Sequence, residues 1–284
     1  MTDASATLGA AREKLERLRE LLAGTDRAVV AFSGGVDSTF LLRVATDVLG
    51  DRVTALTAVS PSMPEDDRTR AKALAAAMGV RQIVIESHEL DDPNYTANPS
   101  NRCYFCKSEL FRICEEQARA LGVQAILDGT NLDDLADHRP GRAAADERGV
   151  GSPLVEAGLT KADIRALSRE MGLSTWDQPS SPCLSSRIPY GMPVTPEALA
   201  RIHACERILG EMGFCEVRVR HHDTLARIEV GKADLDRFFD PLLRAEILDH
   251  FRKEGYVYVT LDLAGFRSGS GNEVLPRVDR GTKS

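Results

Sequence analysis

Six cysteines and one glycine-rich hexapeptide are the parts of this sequence with the types and spacing for chemistry. Cys103-Tyr104-Phe105-Cys106-Lys107 opens a helical pattern, where the partial positive charge of a helix N-terminus, with Arg102 and Lys107 beside it, favours thiolate over thiol. A C-x-x-C pair serves as a redox dithiol, as half of a zinc site, or as part of an iron–sulfur site. A structural zinc wants four ligands, and no second C-x-x-C exists. Cys183 is the remaining candidate: it sits in the proline-flanked loop SSPCLSSRIPYG with Arg187 four residues on, a constrained and electropositive setting for a thiolate. Cys114, Cys205 and Cys215 are expected to fill apolar positions. The hexapeptide is Ser33-Gly34-Gly35-Val36-Asp37-Ser38, between the apolar run RAVVAF and a helical stretch. Main-chain N–H groups at such a turn favour an anion, glycine lets the chain approach phosphate without a Cβ, and Ser33 and Ser38 add hydroxyl donors. Neither G-x-x-x-x-G-K-[ST] nor G-x-G-x-x-G is present, which excludes the common P-loop and the dinucleotide fingerprint.

Rigid elements must bring these residues together, and the chain is long enough to supply them: 284 residues, 43% hydrophobic and 28% charged, near the globular averages. Leucines at 8, 15, 18, 21 and 22 predict an amphipathic opening helix. Apolar runs at 27–32, 53–59, 81–87 and 123–130 alternate with helical stretches, a pattern that predicts an α/β fold: a parallel sheet of about five strands with helices on both faces. The polar stretch 131–152 reads as a loop with one short helix, and Thr160 opens a capping box. Four prolines exclude a helix interior over 176–194. From Thr195 the pattern becomes that of a smaller α+β domain with an antiparallel pair, so the expected organisation is 1–190, 191–265 and a flexible tail at 266–284. There Arg218 and Arg220 share one strand face, either a solvated face or a phosphate site. His88, His138, His203 and His250 have no partner at ligand spacing and read as ordinary histidines.

A formal charge of -7 argues against a nucleic-acid or anionic-membrane binder. No apolar run approaches the about 20 residues needed to span a bilayer, and the N-terminus lacks signal-peptide character, so a cytoplasmic protein is expected. Sparse cysteines agree with a reducing compartment.

SGGVDS resembles the pyrophosphate loop of the ATP pyrophosphatase (PP-loop) superfamily, whose members bind ATP and activate a carbonyl or carboxyl oxygen by transferring AMP. That resemblance implies ATP and Mg²⁺ as cofactors, with Ser33, Gly34, Gly35, Asp37 and Ser38 on the phosphates and Asp37 on the metal. Asp128-Gly129-Thr130-Asn131-Leu132-Asp133-Asp134 on its residues alone reads equally as a capped turn or as a nucleotide site; it resembles the superfamily's second nucleotide motif, which adds Gly129, Asn131 and Asp133. SGGVDS, RCYFCK, DGTNLDD and PCLSSRIPYG in order resemble the LarE family over nearly the whole chain.

The LarE resemblance implies adenylation of a carboxylate of pyridinium-3,5-biscarboxylic acid mononucleotide, attack by sulfur and release of a thiocarboxylate, in making the nickel-pincer nucleotide cofactor of lactate racemase. Cys183 occupies the position of the family's sulfur-bearing cysteine. Either Cys183 gives up its own sulfur and becomes dehydroalanine, or Cys103, Cys106 and Cys183 hold a four-iron four-sulfur cluster that carries a removable sulfide. The same resemblance implies Arg218 and Arg220 as holders of the substrate phosphate, Glu206 and Glu229 as ligands of a cation at subunit contacts, a homo-oligomer, and a nickel-insertion enzyme downstream. The rival readings are a cluster-dependent tRNA thiolase, an ammonia-using synthetase or amidotransferase subunit of the same superfamily, and a nucleotide-sensing module without catalysis.

Overall fold

The computed structural model describes residues 2–135, 141–179, 181–267 and 269–274, with side chains from residue 8 onward. His138 lies outside the described residues. The chain divides into two compact units, one of Met1–Tyr95 with Asn101–Pro182, the other of Thr96–Ser100 with Cys183–Ser284.

The first unit is built on strands β1 (Ala28–Ala31), β2 (Val53–Val59), β3 (Arg81–Glu86) and β4 (Ala125–Leu127), all parallel in the order β3-β2-β1-β4. A sequence reading of about five strands meets four here: the further place beside β4 is a single parallel bridge between Leu127 and Gly151. Pro153, two residues on, opens a helical turn and ends any extension of that bridge. The helices are α1 (Thr2–Ala23), α2 (Val36–Leu49), α3 (Glu65–Ala77), the short α4 (Pro93–Thr96) at the join with the second unit, α5 (Arg102–Leu121), α6 (Gly141–Glu147), α7 (Pro153–Glu156) and α8 (Lys161–Glu170). Alternate residues of β1 face opposite cores, which is why its pattern is apolar throughout. Ala28 and Val30 join Leu15, Leu18, Phe40, Leu41 and Ile164 of α1, α2 and α8, while Val29 and Ala31 meet Phe111, Cys114 and Ala144 of α5 and α6. Thr160 and Asp163 form the expected capping box, the Thr160 hydroxyl accepting from the Asp163 N–H and the Asp163 carboxylate from the Thr160 N–H.

The second unit holds α9 (Pro196–Glu211), β5 (Val217–His222), β6 (Leu225–Val230), α10 (Pro241–Lys253) and β7 (Tyr258–Leu261). Strands β5 and β6 pair antiparallel and β7 adds to β6 in parallel. Asp240 caps α10 and Pro241 stands in its first turn, so the preceding Lys232–Phe239 is a separate 3-10 helix. The composition of 266–284 reads as a flexible tail, yet the Phe266 N–H donates to the Val230 carbonyl at 2.7 Å and Ser270 is buried. Residues 275–284 lie outside the described residues.

His221 in this core bonds the Tyr256 hydroxyl through Nδ1 at 3.0 Å. Burial, then the Arg201 cation, pushes its imidazole below the ordinary 6.5, and burial with Arg227 does the same to His222. A base with a depressed folded-state pKa binds its proton more readily unfolded, so it contributes stability above 6.5 that is lost as pH falls through the folded value. Urea midpoints should therefore drop between about pH 7.5 and pH 5.5, and His221→Gln should flatten that dependence. Identical slopes in both proteins would refute the assignment.

Candidate active site

All four strands of the larger sheet run the same way, so the loops that follow them emerge at one edge. From β1 the chain moves outward through β2 and β3, then returns to place β4 on the other side of β1. Between β1 and β4 the strand order reverses, and such switch points are where open α/β sheets take ligands. SGGVDS follows β1 and DGTNLDD follows β4, so strand order alone makes the two motifs neighbours.

The geometry of the first loop is that of an open anion site. Gly35 is the N-cap of α2 and offers no side-chain cap. The first N–H groups of a helix have no intrahelical partner, so those of Val36, Asp37 and Ser38 are available at the positive end of a 14-residue helix. Gly34 takes φ +75°, and a Cβ there would stand 2.9 Å from the Ala71 Cα of α3; only glycine fits. Ser33 and Ser38 hold the turn, their hydroxyls 3.1 Å apart and the Ser33 N–H donating to Ser38 Oγ at 3.3 Å. A Cβ on Gly129 would come within 2.9 Å of the Ser38 nitrogen, so the second motif packs main chain to main chain on the first.

Beneath that contact the buried Asp128 carboxylate accepts from the Thr130 N–H and hydroxyl and from the Ser152 hydroxyl. Asn131, also buried, accepts the Asp133 N–H at 2.9 Å and leaves the Asp133 carboxylate exposed.

Lys161 is the residue that sequence reasoning missed. Its ammonium donates to Asp37 Oδ2 at 2.6 Å and its N–H to Asp133 Oδ2 at 2.8 Å, joining both motifs through the first residue of α8. The capping box at Thr160 was the available signal, since it fixes Lys161 at the first helical position. Asp37 Oδ1, by contrast, is buried with no hydrogen-bond partner. A carboxylate oxygen without a donor, at the mouth of an open helix N-terminus, fits Mg²⁺ on a bound polyphosphate. Asp37 would hold the ion, and the α2 N–H groups, Ser33, Ser38 and Lys161 would meet the phosphates.

Cys103 is exposed and Cys106 half-buried in the first turn of α5. Cys183 belongs to the other unit, where it caps the 3-10 helix Leu184–Arg187 and is itself half-buried. Its carbonyl accepts from the Ser186 N–H at 2.9 Å and from Arg187 Nη1 at 3.2 Å. Arg187 therefore grips the Cys183 main chain, and its charge is met by a two-pronged pair with Glu206 at 2.9 Å on each oxygen. Among the described residues no group of three or more His, Cys, Asp or Glu side chains is arranged to hold a metal ion.

Cys114 and Cys205 are buried as expected, which pushes both thiols up to about 12. Cys215 is exposed rather than apolar-packed, because Phe214 and Val217 on either side of the turn take the inward positions.

The basic run of β5 divides by environment. Arg220 is buried and forks onto fully buried Glu229 at 3.0 and 2.8 Å, with further bonds to the Ser186 carbonyl and Ser270 hydroxyl. Its charge is spent inside the unit. Arg218 is half-buried, with its guanidinium 5.1 Å over the Phe266 ring. Burial, followed by repulsion from Arg187 and less from Arg220, pushes it down to about 10. Glu206 and Glu229, read from the resemblance as cation ligands, are each occupied by an arginine of the same unit.

No helix among the described residues is long and apolar enough to cross a membrane. A family model described as NAD synthase matches residues 13–106, the stretch that holds the glycine loop and strands β1, β2 and β3. A protein of Synechocystis sp. is 47% identical over 93% of this chain and 98% of its own length. The pyridinium-3,5-bisthiocarboxylic acid mononucleotide synthase of Lactiplantibacillus plantarum is 38% identical over 90% of this chain and 92% of its own. A glutamine-hydrolyzing GMP synthase of Clostridium tetani is 25% identical over 80% of this chain but 44% of its own length. An open pyrophosphate-type loop, its partner motif and near full-length kinship to the L. plantarum enzyme together establish that the chain belongs to the LarE family of PP-loop, ATP-binding sulfurtransferases.

Proposed function

We propose that this protein adenylates a carboxylate of pyridinium-3,5-biscarboxylic acid mononucleotide with ATP and converts it to a thiocarboxylate, with Cys183 as the sulfur donor. The observation that carries the reading is Cys183 itself: a half-buried thiol whose main chain is pinned by Arg187 and Ser186, in a chain kin over 90% of its length to a synthase of the bisthiocarboxylic product. A carboxylate oxygen attacks the α-phosphorus of ATP bound at the switch point, the bond between the α-phosphorus and the bridging oxygen breaks, and pyrophosphate leaves as the acyl adenylate forms. The α2 N–H groups, Ser33, Ser38 and Lys161 take up the charge that develops on that leaving group. The Cys183 thiolate attacks the acyl carbon and AMP departs, which forms a thioester. Loss of the Cα proton and breakage of Cβ–Sγ then release the thiocarboxylate and leave dehydroalanine, so atoms and electrons balance with no further oxidant. Arg218 supplies the cation for the mononucleotide phosphate, while Arg220, turned inward to Glu229, supports the strand that carries it. We place the enzyme in the cytosol, as a homo-oligomer that hands its product to a nickel-inserting enzyme.

Intact mass after incubation with ATP, Mg²⁺ and the mononucleotide tests the reading. The chain should lose about 34 Da, one H₂S, and Cys183→Ala should keep its mass and make no thiocarboxylate while still releasing pyrophosphate. Unchanged mass with repeated turnover, together with about four irons per chain after anaerobic reconstitution, would assign Cys183 instead as a cluster ligand with Cys103 and Cys106. Turnover retained in Cys183→Ala would favour an ammonia-using synthetase.

A further inference from the structure

Lys161, Arg165 and Arg169 stand four residues apart on α8 and so form one cationic stripe along it. The first meets the nucleotide loops. One turn on, the half-buried Arg165 guanidinium donates from Nη1 to the Trp176 carbonyl at 2.9 Å and from Nη2 to the Gln178 carbonyl at 2.6 Å. Arg169 lies 4.8 Å over the Trp176 ring. Trp176 and Gln178 belong to a strap, residues 174–182, that follows α8, and further along it the Ser181 hydroxyl donates to Asp67 Oδ2 of α3 at 3.0 Å.

Among its described residues the strap has no helix or strand of its own; two local turns run from the Trp176 N–H to the Leu173 carbonyl and from the Gln178 N–H to the Thr175 carbonyl. Pro179 and Pro182 have no N–H to give. Carbonyls in such a stretch need donors from elsewhere, and the rigid planar fork of an arginine spans two of them where a single ammonium cannot. The residue that follows the strap is Cys183, and all of these contacts lie within the first unit.

We propose that Arg165 is a positioning residue for sulfur transfer: by clamping Trp176 and Gln178 to α8, whose first residue Lys161 meets Asp37 of the phosphate loop, it fixes where the chain leaves the first unit for Cys183. The functional half of this inference rests on the reading above; the strap itself can be tested without it. The Arg165 guanidinium bonds go to the strap, so its loss should spare adenylation and slow the step that needs Cys183.

Full-length Arg165→Ala and Arg165→Lys proteins would be compared with the wild type by hydrogen exchange of residues 174–182, by alkylation of Cys183 with iodoacetamide, and by single-turnover pyrophosphate release and thiocarboxylate formation. In Arg165→Ala, exchange over 174–182 should rise at least about tenfold with the sheet unchanged, and the alkylation rate should shift by at least about threefold. Pyrophosphate release should stay within about twofold while thiocarboxylate formation falls about 10–100-fold, the scale that a displacement of about 1 Å imposes. Arg165→Lys should lie between the two, since one prong is restored. Unchanged exchange at 174–182, or a fall in pyrophosphate release as large as that in thiocarboxylate formation, would overturn the proposal. If the wild type makes no thiocarboxylate, the proposed reaction fails, and exchange with alkylation alone then decide whether Arg165 positions the strap.

Discussion

Replacing Lys161 with alanine is expected to cut ATP-dependent pyrophosphate release by about 10²–10³-fold, the usual effect of deleting one fixed donor from a site that stabilises developing charge. The ammonium is held 2.6 Å from Asp37 at the mouth of α2, and its helix is anchored there by the Lys161 N–H on Asp133 and by the Thr160 capping box. That anchoring involves main chain and cap, so the helix should survive the substitution. The Lys161–Asp37 pair is partly exposed, with side-chain accessibilities of 31% and 24%, so its loss should barely change the unfolding midpoint. An activity within about threefold of wild type would show that the ammonium serves only to hold Asp37. Lys161→Arg should recover part of the rate, because the charge is kept while the longer fork no longer matches the site.

The second large effect is on stability. Glu229→Ala should destabilise the second unit by about 3–5 kcal/mol, the cost of leaving one member of a buried pair uncompensated. Glu229 has no exposed side-chain surface, and Arg220, with 10% exposed, would keep the neutral Ser186 carbonyl and Ser270 hydroxyl but lose the carboxylate that meets its charge. Against a typical total of about 5–15 kcal/mol this is enough to unfold a noticeable fraction of the protein. Replacing both residues with leucine should cost much less, because the penalty comes from the stranded charge and not from the absence of the pair. Urea unfolding of the single and double variants measures both. A double variant as unstable as Glu229→Ala alone would point to lost packing around Ser270 instead.

The strand, glycine turn and helix around Ser33, and the start of α8 at Thr160, were legible because each depends on neighbours within a few residues: apolar runs and a turn that tolerates φ above zero for the first, a capping box for the second. The burial of Cys114 was legible for the same reason, since helical periodicity places it on the inward stripe of α5. Arg218 and Arg220 show where that reasoning stops. Alternation correctly puts them on one face of β5, but whether that face meets water depends on Glu229 across the ladder and on Ser270, a residue 50 positions away in a stretch whose composition reads as tail. Cys215 stops it in the other direction, as an apolar-looking position left outside the core by Phe214.

By itself, then, the sequence determined the parts: an α/β alternation, a phosphate-type loop, a second acidic motif and three cysteines set apart from those expected to fill the core. Only the tertiary structure decided their company. It set Gly129 against Ser38 by placing β4 beside β1, brought Lys161 to Asp37 across 124 residues, and laid the strap before Cys183 along the same helix. The physical reason is that periodicity reports which face of an element a side chain occupies, whereas the partner on the opposite side is set by strand order and helix packing, over separations that no local pattern encodes.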